Sequence, residues 1–246
     1  MKARNLLPLA LTLIIFVSTH QPVHAGGPNS GSATNIGATV RGTVKFDGVA
    51  PKGKAISMAA DPSCARQHPT PVSTQEIMAD GKGELQNAIV FVSDGLSGTF
   101  DPPSQPVVID QKGCMYQPHV LAVRAGQEFE VVNHDPVIHN IHPMPANNRE
   151  WNKAELPGSK VDESFSREEI AIPVKCNVHP WMRSYVAVFK HPYFVVTGKD
   201  GTFDLSNLPP GTYTISAWHE KLGTQTAKIT IGANETKNVD FVFKSM

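Results

Sequence analysis

What most constrains this chain is its patterning. Short runs of alternating apolar and polar residues recur along most of its length, and helical periodicity is nearly absent. The runs fall at residues 39–46, 87–93, 106–110, 119–124, 128–133, 171–175 and 185–189, and again at 194–197, 202–205, 213–218, 227–231 and 239–243. Most are rich in Val, Ile, Phe and Tyr and are bounded by turn formers, which predicts strands. Asp200-Gly201 between two runs reads as a hairpin turn, and Pro209-Pro210-Gly211 as another break. This spacing predicts an all-β chain built from sandwiches. With 246 residues there is room for one large domain or two small ones. Residues 143–167 are polar and irregular, and the expectation there is a short helix or a loop.

The first residues read as a leader rather than as part of the fold. Lys2 and Arg4 precede an apolar run at 6–17, and Val23-His24-Ala25 has the small-x-small pattern of a cleavage site. The run is short for a bilayer span. The expectation is a signal peptide over 1–25, a flexible Gly/Ser/Asn-rich lead-in over 26–37, and an exported, periplasmic protein with no membrane span after cleavage. Loss of Lys2 and Arg4 takes the formal charge from 0 to −2. With no basic block, the chain is not expected to bind nucleic acid or a strongly anionic membrane. Three cysteines remain, Cys64, Cys114 and Cys176. An odd number in an oxidising compartment suggests one disulfide and one sulfur kept for other work.

The middle of the chain concentrates metal donors. Cys176, His179 and Met182 fall within seven residues, and His139 and His142 lie upstream. A thiolate, two imidazoles and a weak thioether form the ligand set of a copper electron-transfer site. Zinc would more often recruit a further Cys or His. Cys176 ends a strand, and a tight loop through Pro180 brings His179 and Met182 to the same side. A fourth donor must come from elsewhere, and His139 is the best placed. His142 is its rival, but in a strand 139 and 142 face opposite sides, so only one is expected to bind. The bland alternatives are a buried core thiol for Cys176, a core side chain for Met182 and a surface histidine at 139. His119 and His134 read as structural or exposed. His191 and His219 lie outside the loop, and Trp181 reads as a shield for the site or as plain packing.

The run Cys176-Asn177-Val178-His179-Pro180-Trp181-Met182-Arg183 resembles the ligand loop of the cupredoxin (blue copper) family, in its amicyanin and plastocyanin-like branch. Val107-Val108-Ile109-Asp110, Val123-Arg124-Ala125-Gly126-Gln127, Asn133 and His139-Asn140-Ile141-His142 extend the likeness over about 106–189. The resemblance implies a Greek-key sandwich holding one type 1 copper, with His139, Cys176 and His179 equatorial and Met182 axial. Asn140 would brace the thiolate from outside the ligand set. It further implies single-electron transfer with redox proteins such as a c-type cytochrome or a periplasmic dehydrogenase, in a setting such as methylamine oxidation. The long segment 143–167 and Cys114 depart from the family pattern and put the partner surface in doubt.

The flanks resemble another family. Val40-Arg41-Gly42-Thr43-Val44, residues 196–203 and Leu208-Pro209-Pro210-Gly211-Thr212-Tyr213 are similar to the carboxypeptidase regulatory-like (transthyretin-like) sandwich. The expected organisation is an N-terminal part of that sandwich over 38–102, a cupredoxin domain over 103–190 and a C-terminal part over 191–246, with the cupredoxin inserted between the two parts. Its rival is two consecutive domains packed side by side, with the N-terminal strands completing the cupredoxin instead. With Cys176 reserved for metal, Cys64 and Cys114 are either bonded to each other or both free, and export favours the bond. No acid–base pair or second copper cluster stands out, so an enzyme is not expected. Besides an electron shuttle, the donor set suits copper storage or delivery, or an interaction module with a structural copper. The sequence leaves the oligomeric state open.

Overall fold

In a computed structural model that describes residues 37–245, the alternating runs become strands. The expected leader, and all of the lead-in except Gly37, lie outside the described residues. In chain order the elements are β1 (Ala38–Asp47), α1 (Pro62–Ala65), β2 (Ile89–Asp94), β3 (Val107–Gln111), β4 (Tyr116–Gln117), β5 (Val120–Arg124) and β6 (Glu128–Asn133). There follow β7 (His139–Pro143), β8 (Lys153–Glu155), β9 (Lys160–Ser164), β10 (Glu169–Lys175), β11 (Arg183–Phe189) and β12 (Phe194–Val196). The last are β13 (Thr202–Leu208), β14 (Gly211–His219), β15 (Gly223–Ile231), β16 (Thr236–Asn238) and β17 (Phe241–Lys244). The chain is all-β, with α1 a single turn. Among the described residues no helix is long and apolar enough to cross a membrane.

The strands form two sandwiches. In one, the sheet β13-β1-β16, with β17 also paired to β1, packs on the sheet β12-β2-β14-β15. Val40, Val44, Val90, Val92, Ile215, Phe241 and Phe243 fill its core. Strands from both ends of the chain therefore share sheets: β1 runs antiparallel to β13 and parallel to β17, and β2 lies between β12 and β14. In the other sandwich, β5-β11-β10-β7-β8 packs on β4-β3-β6-β9 around Ile109, Val123, Phe129, Val131, Ile172, Val174 and Val186. A third cluster joins the two sandwiches: Ile89 and Phe91 of β2 meet Val120 of β5 and Ala187 and Phe189 of β11. Successive side chains of a strand point to opposite faces. Val90 and Val92 thus serve one core while Ile89 and Phe91 serve the junction, and Val186 and Val188 divide from Ala187 and Phe189 in the same way. Both strands are covered on two faces, which explains their nearly continuous apolar runs.

Two expectations need correction. Residues 143–167 hold no helix and are not simply loop, because β8 pairs with β7 and β9 pairs with β6. Asp200-Gly201 turns the chain, but not within a hairpin: β12 joins β2 in one sheet and β13 joins β1 in the other. Gly201 has the positive φ (62°) such a turn needs, but its carbonyl accepts from Val44 N of β1 (2.8 Å), which directs the next strand across the sandwich.

The segment between β1 and β2 reaches over the second sandwich. Asp61 caps α1, its carboxylate accepting from Ser63 N (2.8 Å) and Cys64 N (3.2 Å), with Pro62 in the first turn. Cys64 forms a disulfide with Cys114, at a Cα–Cα distance of 5.6 Å. Both half-cystines are buried in the second core.

Candidate metal centre

The centre is assembled from the end of β7 and the turn between β10 and β11. β10 delivers Cys176, and the next six residues fold back on it. Cys176 N donates to Met182 O (3.2 Å), Met182 N to His179 O (3.0 Å) and His179 N to the Cys176 sulfur (3.3 Å). Asn140, beside His139 on β7, locks this turn from outside: its Oδ1 accepts from Asn177 N (2.6 Å) and lies 3.3 Å from Cys176 Sγ. Sequence spacing places Cys176, His179 and Met182 on one loop, and the fold brings His139 to it. His139, Cys176 and His179 offer ligand atoms that all lie within 4.8 Å of one another. The two Nδ1 atoms are 2.9 Å apart, and His179 Nδ1 is 3.9 Å from the sulfur. Met182 is fully buried in the same core. Asn177, Val178 and Pro180 form an exposed rim.

The outward nitrogens are held as well. His139 Nε2 lies 2.8 Å from Asp135 Oδ2, and Asp135 accepts from Gly113 N and Cys114 N, each at 2.7 Å. His179 Nε2 lies 3.1 Å from Asp61 Oδ2 and 3.7 Å from Cys64 Sγ. Trp181 packs against His179 with ring centroids 5.0 Å apart, and its indole N–H donates to Cys114 O (3.0 Å).

The electrostatics follow from this wiring. Burial works against an imidazolium at His139, but the Asp135 carboxylate and the Cys176 sulfur outweigh it and raise its pKa to about 9. Burial also opposes a thiolate at Cys176. His139 and the backbone N–H groups of Asn140, His179 and Val178 outweigh it, so the thiol lies below its ordinary range. Asp135 is held down by His139 and two backbone donors against the opposing effect of burial. Glu155 pairs with His139 across β7 and β8, and its buried carboxylate oxygens have no hydrogen-bond partner among the described residues. Burial raises its pKa to about 7, with His139 and Lys153 opposing.

The other histidines stay apart. His142 faces away from the cluster and contacts Glu150 (2.6 Å) and Asn177 (3.3 Å). His119 pairs with Glu220 and His134 with Asp110, and His191 and His219 accept from nearby backbone N–H groups. Sequence reasoning missed Asp135, Asp61 and Glu155. Asp135 stands four residues before His139, a spacing that offers a signal. Asp61 meets His179 across 118 residues, and nothing local marks it.

Residues 184–244 match the carboxypeptidase regulatory-like domain, a stretch that runs from β11 into β17. No curated protein matches the sequence. Among solved structures, the chain is similar to a copper-containing nitrite reductase from Thermus scotoductus SA-01, with 18% identity and TM-score 0.34, over 39% of this chain and 25% of that one. It is similar to a purple cupredoxin from Nitrosopumilus maritimus, with 24% identity and TM-score 0.29, over 33% and 97%. A copper(I) form of an amicyanin variant follows, with 18% identity and TM-score 0.31, over 40% and 97%. The chain thus spans a quarter of the nitrite reductase. Likenesses this slight carry no functional argument, and the reading below rests on the geometry of the centre.

Proposed function

We propose that this chain is an exported type 1 copper protein that carries single electrons between redox partners. One observation carries the reading: a cysteine and two histidines converge, buried, with their ligand atoms within 4.8 Å, beside a fully buried methionine on the same loop. The donor set fits copper: the sulfur suits Cu(I), the imidazoles suit Cu(II), and among the described residues no further free Cys or His joins the cluster as a zinc site would more often require. His139, Cys176 and His179 would hold the ion, and Met182 on the same loop would offer a weaker thioether donor. Copper bound there supplies a one-electron couple. Asn140 fixes the ligand turn by holding Asn177 N, and burial of all four side chains keeps water out. To hold the ion, His139 and Cys176 would present a neutral imidazole nitrogen and a thiolate.

The partners fitting this role are redox proteins such as a c-type cytochrome or a periplasmic dehydrogenase, met in weak and brief contacts. Amine oxidation is the setting suggested by the ligand loop. The test is the visible and electron paramagnetic resonance spectrum of copper-loaded protein. An intense thiolate-to-copper band is expected, lost in Cys176→Ser and kept in Met182→Gln with a shifted potential. Absence of the band from the native chain, or its survival in Cys176→Ser, overturns the assignment. Fast self-exchange marks a shuttle, whereas ready loss of copper to a chelator marks a storage or delivery protein.

A further inference from the structure

We infer that Asp61, which belongs to the segment between β1 and β2 and not to the strands of the metal-bearing sandwich, is a positioning residue for the metal centre and acts through His179. The inference rests on the reading above. Its basis is a paired arrangement around one disulfide. Each candidate imidazole carries a carboxylate on its outward nitrogen: Asp135 at His139 Nε2 (2.8 Å) and Asp61 at His179 Nε2 (3.1 Å). Each carboxylate is anchored by the backbone N–H of a half-cystine, Asp135 by Cys114 (2.7 Å) and Asp61 by Cys64 (3.2 Å). The Cys64–Cys114 bridge therefore ties the two orienting groups together.

The chemistry follows from what a carboxylate can do. An ionised carboxylate only accepts hydrogen bonds. At 3.1 Å it requires the His179 proton on Nε2, which leaves the Nδ1 lone pair facing Cys176 and His139. The other nearby partner for Nε2 is the Cys64 sulfur at 3.7 Å, a much weaker acceptor. Asp61 is itself restrained, since its other oxygen holds Ser63 N and Cys64 N. An orienting carboxylate of this kind fixes the tautomer and ring angle of a ligating histidine and makes it a stronger donor. The local fold of the ligand loop does not provide this group. The centre borrows it from the N-cap of α1, a feature outside the resemblance to a cupredoxin domain.

The test uses the full chain. Asn caps a helix as well as Asp, so Asp61→Asn spares α1. With its oxygen on the cap, however, the amide turns N–H groups toward Nε2 and removes the preference for a proton there. Long-range 1H–15N NMR of the copper-free protein reads the tautomer directly. We expect His179 as a single Nε2–H tautomer in the native chain, a mixed or inverted one in Asp61→Asn, and recovery in Asp61→Glu. Copper(I) affinity, measured by competition with bicinchoninate, is expected to fall about 10–100-fold in Asp61→Asn, and the reduction potential to move positive as the imidazole loses its anionic partner. An unchanged tautomer with affinity within about twofold of native overturns the inference and leaves Asp61 a helix cap alone. If the native chain takes up no copper, the electron-carrier reading fails, and the tautomer still decides whether Asp61 orients His179.

Discussion

Phe189→Ala is a sharp test of how the two sandwiches are joined. Phe189 is fully buried at the end of β11, stacked on Phe194 (4.5 Å between centroids) and close to Phe91 (5.0 Å) and His191 (5.6 Å). Phe91 belongs to β2 of one sandwich, whereas Phe189 belongs to β11 of the other. Truncation removes a buried ring from between strands with little freedom to close the gap, at a cost of about 3–5 kcal/mol. For a chain of this size each kcal/mol moves the melting temperature by about 2–4 °C, so a loss near 4 kcal/mol predicts a fall of about 8–16 °C. Scanning calorimetry should show one transition in the native chain and one, lowered, in the variant, because the junction couples both cores. If the chain takes up copper as proposed, the copper spectra should be unchanged, since Phe189 lies at the opposite end of β11 from Met182. A cost below about 1 kcal/mol, or two separate transitions in the native chain, would refute the reasoning.

Three further outcomes are expected. His219 is buried, and burial chiefly lowers its pKa to about 4, so it stays neutral in the fold while the unfolded chain takes up a proton below about 6.5. Its contribution is thus present above pH 6.5 and lost as pH falls toward 4, by roughly 3 kcal/mol, and urea titrations of His219→Gln should show a flatter stability–pH curve in that window. Glu169 accepts from Ala146 N (2.5 Å), Asn147 N and Asn148 N (3.0 Å each), and Glu169→Gln should cost about 2 kcal/mol and speed amide exchange at 146–148. Replacing Cys64 and Cys114 by Ser opens a loop spanning 50 residues and should cost about 4 kcal/mol in denaturant unfolding, with a loss under about 1 kcal/mol counting against it.

What the sequence shows of this fold depends on what each strand buries. β6 alternates apolar and polar residues and is legible from end to end, because Phe129 and Val131 enter a core while Glu128 and Glu130 do not. β9 escapes notice because Val161 is its only apolar residue. β7 escapes because His139, Asn140 and His142 occupy positions where a strand usually carries apolar side chains. At Asp200-Gly201 the turn chemistry is readable but the pairing is not, since a local signal cannot say which of two facing sheets the next strand will join. The centre divides in the same way. Loop spacing marks Cys176, His179 and Met182, whereas Asp61 acquires its role only when a distant segment is folded over His179.

The pairing of β1 bears on the order in which this chain can fold. All strands of the inner sandwich, which carries the candidate centre, are complete by Phe189, and their pairings connect segments between residues 107 and 189. β1 must wait for β13, β16 and β17, whose registers match its residues to 202–208 and 236–244. Early in synthesis the inner sandwich can therefore close while β1 and β2 still show unpaired edges. The disulfide partners Cys64 and Cys114 are both present by then, so oxidation can tether the waiting N-terminal segment to the finished inner sandwich. That tether shortens the search that β1 and β2 must make, and it holds an aggregation-prone pair of strands beside the surface on which Phe91 will settle.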